Sequence, residues 1–113
     1  MPRMLRSSTT IETTAMTRKL PPIHPGEMLR EDFMLPLKLT VTALAEAIGV
    51  TPARISEIVR GRRGITADTA LRLARYFGTD AQSWINLQAR YDLEMAGDAL
   101  ADDLRRIHPR EAA

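Results

Sequence analysis

Residues 40–63 contain two short apolar patterns with a glycine between them, and this stretch constrains the fold more than any other. The segment reads TVTALAEAIGVTPARISEIVRGRR. In each half the apolar positions are three residues apart, and these positions are Ala45 and Ile48, then Ile55 and Ile58. A spacing of three residues places side chains on one face of a helix. The stretch is therefore predicted to contain two short helices rather than one long one.

The residues around the glycine have the chemistry of helix ends. Gly49 suits a helix C-terminus because glycine readily adopts the left-handed conformation found there. Thr51 is a good N-cap, and Pro52 fits the first turn of a helix, where its missing N–H is not needed. We therefore predict two helices joined by a tight turn, with Thr40 as the N-cap of the first.

The spacing of small and apolar residues makes this helix pair more specific. Ala45 is small where the helices must cross, Gly49 lies at the turn, and Ile55 is placed to pack under the first helix. Residues 40–61 thereby resemble the Xre-type, phage-repressor-like helix-turn-helix family, in which the second helix enters the major groove of DNA. An ordinary helical hairpin from an unrelated bundle is the alternative, since similar spacings occur there.

Length and composition exclude several classes of protein. The chain has 113 residues and no cysteine, which excludes a disulfide framework, a thiolate zinc site and a cysteine nucleophile. No apolar run approaches the roughly 20 residues of a membrane span, and the N-terminus lacks the apolar core of a signal peptide. We expect a cytoplasmic protein with a disordered arm at 1–20, a helix-turn-helix domain at 21–96 and a tail at 97–113.

Positive charge is concentrated on the second helix of the pair and the segment after it. The whole chain has a formal net charge of +2. Residues 54–75 hold six arginines against Glu57 and Asp68, so their local net charge is +4 (6 − 2). A localised basic patch is typical of proteins that contact nucleic-acid phosphates. A solvated arginine face without a ligand is the alternative, and it would be favoured if the patch lay elsewhere.

Capping residues and apolar spacing predict an all-α fold of five helices, with a possible extra helix in the tail. The other expected helices run from near Gly26 to Pro36, from the N-cap Thr66 to Gly78, from the N-cap Asp80 to about Met95, and within Asp98–Ile107. One helix face in the fourth helix is apolar, formed by Ala70, Leu73, Ala74 and Phe77.

Two further motifs extend the resemblance over residues 17–96. They are His24-Pro25-Gly26-Glu27 and the string Trp84…Leu87-Gln88…Tyr91-Asp92. With GRRGITADTALRLARYFGT at 61–79, they resemble the HigA-type antitoxins, also called virulence-associated protein I. The resemblance implies repression of the protein's own operon and a homodimer formed through the region of the fifth helix. It also implies a HigB-like toxin partner, a small ribosome-dependent mRNA endonuclease of the RelE type.

The pattern of that family places the N-terminal residues of the recognition helix at base edges. In this sequence the positions are Thr51, Pro52, Ala53, Arg54 and Glu57. Pro52 and Ala53 offer only apolar contact, for example to a thymine methyl group. We therefore predict Arg54 as the main reader, through guanine O6 and N7, with a phosphate contact as an alternative of equal weight. Glu57 accepts a hydrogen bond from cytosine or pairs with an arginine.

A second set of residues is expected at the DNA backbone. The second choices for contact with a base or a phosphate are Ser56 and Arg60. Arg62 and Arg63 are expected to bind phosphate, since a loop flanked by glycines cannot hold a base reader rigidly. The hydroxyls of Thr40 and Thr51 are expected to cap their helices and to touch phosphate as well.

The fifth helix has two interpretations, core packing and a two-fold dimer interface. The candidate interface residues are Trp84, Leu87, Gln88 and Tyr91. Of these, Trp84 is expected mainly in the core and the other three nearer the interface. A homodimer is expected because two recognition helices must reach successive major grooves about 34 Å apart. The operator is therefore predicted to be an inverted repeat.

No catalytic or metal-binding constellation is visible in the sequence. His24 and His108 are 84 residues apart (108 − 24), whereas a metal site needs three or four ligands held together. Ser56 has no nearby histidine partner, and there is no glycine-rich phosphate loop. We therefore expect no enzyme, no metal and no cofactor. Three hypotheses remain: an antitoxin-type repressor, a protein-interaction inhibitor with the helix pair as scaffold, and a free-standing Xre regulator without a toxin.

Overall fold

Six helices account for most of the chain in the computed structural model, which describes residues 20–111. They are α1 (Pro25–Met28), which continues as a π-helical segment (Leu29–Met34), α2 (Val41–Ile48), α3 (Pro52–Val59), α4 (Ala67–Phe77), α5 (Ala81–Ala99) and α6 (Ala101–Arg105). The described residues contain no strand, and the predicted all-α fold is confirmed. The arm predicted at 1–20 lies outside the described residues except for Leu20.

The helix ends form as the capping residues predict. The hydroxyl oxygens of three threonines each accept a hydrogen bond from a backbone N–H three residues on, at 3.0 Å for Thr40, 3.1 Å for Thr51 and 3.4 Å for Thr66. Gly49 ends α2 with a φ of 76°, in the left-handed region that favours glycine. The turn between α2 and α3 is therefore confirmed, and its position follows from local chemistry alone.

The structure differs from the sequence predictions in three places. Asp80 precedes α5, but its side chain makes no capping hydrogen bond to a backbone N–H. α5 continues to Ala99 because no proline or left-handed residue interrupts it after Met95, and α6 follows after a single residue. The first helix changes from α to π, with the Leu35 N–H bonded to the carbonyl oxygen of Arg30 at 2.9 Å. Apolar spacing over so few residues does not separate the two helix types.

The core lies between the helix pair and the three helices around it. Its buried apolar residues are Leu29, Met34, Leu44, Ala45, Ile48, Ile55, Ile58, Ile65, Ala70, Leu73 and Trp84. The Phe33 ring packs against Phe77 and Trp84, with centroids 4.9 and 5.3 Å apart. The indole N–H of Trp84 donates to the hydroxyl of Thr79 at 3.0 Å, which satisfies its one polar group. No helix among residues 20–111 is long and apolar enough to cross a membrane.

His24 forms the N-cap of α1. Its Nδ1 accepts a hydrogen bond from the backbone N–H of Gly26 at 2.9 Å, and its ring meets the Tyr91 ring edge to face at 4.8 Å. Burial lowers the pKa of His24 below its ordinary value of 6.5, and the nearby charge of Asp92 opposes this only in part. A neutral imidazole is required here, because a protonated Nδ1 cannot accept the capping bond.

This cap predicts a loss of stability in weak acid. As pH falls below 6.5, the folded state holds fewer protons on His24 than the unfolded chain does. The contribution of the neutral His24 cap to the free energy of unfolding is therefore fully present above pH 6.5 and is lost as pH falls towards the folded pKa. We expect the free energy of unfolding, measured by urea titration at about pH 7.5 and 5.5, to fall less in His24→Asn than in the unaltered protein. Asparagine keeps an N-cap acceptor but does not titrate. An unaltered slope in His24→Asn would contradict this assignment.

Candidate nucleic-acid interface

The recognition helix α3 has one face in the core and one face towards solvent. Ile55 and Ile58 are fully buried. Ala53, Glu57 and Arg60 follow one another at steps of four and three residues, so they share the opposite face. Ala53 and Arg60 are exposed and Glu57 is half-buried. This outward face, defined here as residues 53, 57 and 60, is the surface that α3 offers to a ligand.

α3 is held from behind by the motif that contains His24. The backbone of Gly26 lies directly against the end of α3, where a Cβ on residue 26 would be 2.6 Å from the carbonyl carbon of Ile58. Only glycine permits this approach. A Cβ added to Gly61, just past α3, would lie 3.7 Å from Cγ of the His24 ring. The His24-to-Glu27 motif therefore packs against the C-terminal end of the recognition helix.

The basic loop after α3 is fastened to α5 by Gln88. The amide oxygen of Gln88 accepts a hydrogen bond from the backbone N–H of Ile65 at 2.7 Å, and its nitrogen donates to Asp92 at 2.9 Å. A Cβ on Gly64 would lie only 3.1 Å from the Gln88 side chain. Gln88 thus has a role inside the protomer that was missed when it was assigned to a dimer interface. No spacing in the sequence signals this bond, because its two partners are 23 residues apart.

The structure places Arg54 differently from the prediction that it is the main base reader. Its guanidinium donates to a carboxylate oxygen of Asp68 at 2.9 Å and to the hydroxyl of Thr69 at 3.4 Å. Its side chain is 31% exposed. Arg54 is about 100° around the helix from Ala53 and about 60° from Glu57, so it lies at the edge of the outward face. In this structure its Nη1 is directed towards α4, and contact with guanine through this nitrogen would require the loss of these bonds.

The Asp68 carboxylate is also bound by Arg72, one turn along α4. The Arg72 Nε donates to Asp68 at 2.7 Å, and its Nη1 donates to the carbonyl oxygen of Ile48 at 2.8 Å. Hydrogen bonds from Arg72 and then Arg54 hold the pKa of Asp68 below its ordinary value. Sequence reasoning counted Asp68 and Arg72 only as charges, because partners 14 and 24 residues away leave no periodic signal.

The remaining predicted DNA contacts fall into three groups. Glu57 pairs with Arg63, whose Nη2 lies 2.7 Å from its carboxylate, so the arginine-pairing alternative for Glu57 applies in this structure. Arg60 and Arg62 are exposed and form no ion pair within residues 20–111. The other positions are at the surface: Thr40, Thr51 and Pro52 are exposed, and Ser56 is half-buried. The two unpaired arginines are therefore the side chains readiest to meet phosphate.

The four candidate interface residues are divided between the core and the surface. Trp84 is 3% exposed, which confirms its place in the core and removes it from the candidate interface. Leu87 and Tyr91 are half-buried, and Tyr91 packs on His24. A groove of about 250 Å³ runs beside Leu87 and is lined mainly by Leu20, Ile23, Met28, Leu87, Arg90 and Glu94. The dimer interface stays a prediction, with Leu87 as its best-placed member.

Comparison with known proteins identifies the family. The helix-turn-helix family model HTH_3 matches residues 29–84. The chain is 64% identical over 78 residues to virulence-associated protein I of Dichelobacter nodosus, which covers 69% of this chain and 72% of that protein. It is 33% identical to antitoxin HigA-1 of Vibrio cholerae, with 78% of this chain and 83% of the antitoxin covered.

A solved structure gives the same result for the fold. Antitoxin HigA of Pseudomonas aeruginosa with the higBA promoter is 45% identical, and it superposes with a TM-score of 0.77 over 80% of this chain and 99% of that one. The resemblance drawn from the His24 motif, the helix pair and the α5 motif is therefore confirmed. The chain belongs to the helix-turn-helix family of HigA antitoxins and virulence-associated protein I.

Proposed function

We propose that this protein is a sequence-specific DNA-binding repressor that acts as the antitoxin of a toxin–antitoxin pair. The observation that carries the proposal is the solvent-facing surface of α3, which is held rigidly from behind and ends beside two unpaired arginines, Arg60 and Arg62. Rigid presentation of a recognition helix beside free positive charge is what major-groove binding requires. The related antitoxin solved with its promoter supports the same function for this chain.

The N-terminal end of α3 and the two arginines Arg60 and Arg62 have different tasks in this proposal. Thr51, Pro52 and Ala53 lie at the N-terminal end of α3 and approach base edges, with apolar contacts from the last two. Arg60 and Arg62 bind phosphates, which set the position of the helix without reading sequence. Ser56 and the ion pair of Glu57 with Arg63 border the same surface and complete the contact set.

We further propose that the repressor binds an inverted repeat as a homodimer. A single α3 has eight residues and cannot bury enough surface for tight, selective binding. Two copies related by a two-fold axis place their helices in successive major grooves about 34 Å apart. Leu87, beside the groove on α5, supplies the interface in this arrangement. Sedimentation of the purified protein at micromolar concentration tests it, and a monomer would contradict it.

The toxin partner is proposed from family membership. Relatives of this chain are named as antitoxins, including HigA-1 of Vibrio cholerae. We expect a small HigB-like toxin to be encoded beside this gene and to co-purify with the protein when both are expressed. Failure of the two products to associate would leave a repressor without a toxin.

The deciding experiment measures binding to the protein's own promoter fragment. Fluorescence anisotropy at two salt concentrations, against a scrambled fragment of equal length, separates selective from general binding. We expect tight binding to the promoter, with log affinity falling linearly as log salt rises. Affinity equal to that for scrambled DNA would overturn the repressor function and favour the helix pair as a scaffold.

A further inference from the structure

One polar network joins the three helices that form and support the helix-turn-helix. Asp68 on α4 accepts from Arg54 on α3 at 2.9 Å and from Arg72 on α4 at 2.7 Å. Arg72 in turn donates to the last carbonyls of α2, at 2.8 Å to Ile48 and 3.3 Å to Gly49. Each of the two arginines thus bridges α4 to one helix of the pair.

The network acts at the ends of α2 and α3 that face each other. The carbonyls bound by Arg72 are at the C-terminus of α2, which has no further turn to supply N–H donors to them. Arg54 lies in the first turn of α3, and its backbone N–H is itself bonded to the Thr51 cap at 3.1 Å. The polar bonds therefore fix the junction at which the angle between the two helices is set.

Arg54 is poorly placed to act directly on DNA. It lies to the side of the outward face formed by residues 53, 57 and 60, and two acceptors on α4 already bind its guanidinium. Asp68 is an acid beside a surface of positive charge, and by electrostatics alone it weakens binding to a polyanion. Any favourable effect of Asp68 on DNA affinity must therefore come from the position in which it holds the recognition helix.

We infer that Arg54, Asp68 and Arg72 are positioning residues for sequence-selective DNA binding, which fix the recognition helix against α2 and α4 and touch neither base nor phosphate. This inference rests on the proposed function as a repressor. It replaces direct readout by Arg54 with an indirect role, and it assigns to an acidic residue a favourable effect on operator affinity.

The direction in which DNA affinity changes when Asp68 is replaced separates this inference from the alternatives. Removal of the negative charge in Asp68→Ala should raise affinity for all DNA if Asp68 only repels phosphate or sequesters Arg54. If Asp68 positions α3, the same change lowers operator affinity about 10-fold, comparable to the loss of one matched base pair, and leaves scrambled-DNA affinity equal or slightly higher. Asp68→Asn, which keeps one acceptor oxygen and nearly the same volume, should give an intermediate loss.

The controls distinguish a change in the position of α3 from a change in net charge and from a loss of folded protein. Asp98→Ala removes the same charge from the exposed end of α5, where the Asp98 side chain has no ion pair among residues 20–111, and it should not lower operator affinity. All binding is measured well below the unfolding temperature of each variant, so that loss of folded protein does not contribute. Asp68→Asn supplies the test if Asp68→Ala does not fold.

A double-mutant cycle completes the experiment. Because Arg54 and Asp68 belong to one network, the loss in Arg54→Ala/Asp68→Ala should be smaller than the sum of the single losses. Arg54→Ala should leave the salt dependence unchanged and reduce selectivity over the whole half-site. A shallower salt dependence, additive losses or an effect confined to one base pair would overturn the inference. Failure of the unaltered protein to prefer its promoter would instead overturn the proposed function.

Discussion

Replacement of Gly26 by alanine is expected to lower the free energy of unfolding by about 3 kcal/mol or more, at the upper end of the cost of overpacking. A Cβ at this position would overlap the carbonyl oxygen of Ile58 and lie 2.6 Å from its carbon. Both groups are backbone, so no side chain can rotate to make room. α1 and α3 must separate, and the core residues between them lose contact. Urea unfolding followed by circular dichroism measures the change.

Gly97→Ala is the matched control for this prediction. Gly97 lies within α5, and a Cβ there would meet nothing within 4 Å. Alanine has the higher helix propensity, so this variant should be more stable by about 0.5–1 kcal/mol. The same substitution is thus expected to have opposite signs at two helical glycines. Equal effects at both positions would show that the Gly26–Ile58 approach contributes nothing specific.

Removal of the two unpaired arginines that end and follow α3, in Arg60→Ala/Arg62→Ala, is expected to weaken promoter binding by about 100-fold or more at 0.1 M salt. Each phosphate contact contributes a slope of about 0.9 to the plot of log affinity against log salt, and a dimer loses four contacts. The loss should be similar on promoter and scrambled DNA, because phosphates carry no sequence information. Both side chains are exposed, so the stability of the fold should change by less than about 0.5 kcal/mol.

A second pair of arginines provides the control for charge. Arg105→Ala/Arg106→Ala removes the same two positive charges from α6, where both side chains pair with the acids Asp102 and Asp103. This variant should retain promoter affinity and the full salt dependence. If the two double variants weaken binding equally, net charge and not the surface beside α3 would account for the effect.

The sequence alone was sufficient to predict the helix pair and the ends of the helices that threonine and glycine cap. Thr40, Thr51 and Thr66 cap the helices that they were expected to cap, and Gly49 adopts the left-handed turn. These features depend on hydrogen bonds and steric limits within three or four residues, so they can be read directly from spacing. The apolar stripes were correct for the same reason, as the burial of Ile55 and Ile58 illustrates. The resemblance to the HigA family, drawn from short motifs, was also correct.

The tertiary structure decided what those motifs do. Gly26 was recognised as part of a motif, but its contact with Ile58 depends on two segments that are 32 residues apart (58 − 26). Gln88, assigned to a dimer interface, binds the Ile65 N–H, 23 residues away in the same protomer. Arg54, assigned to guanine with a phosphate contact as an equal alternative, binds Asp68 within the protomer. The interface and DNA assignments of these two residues stay predictions. A long side chain has several rotamers at every surface position, and only the partner brought near by the fold selects one of them. Spacing in the sequence thus determined which residues lie on α3, whereas contacts with α1, α2 and α4 decided which of its side chains are buried or paired within the protomer.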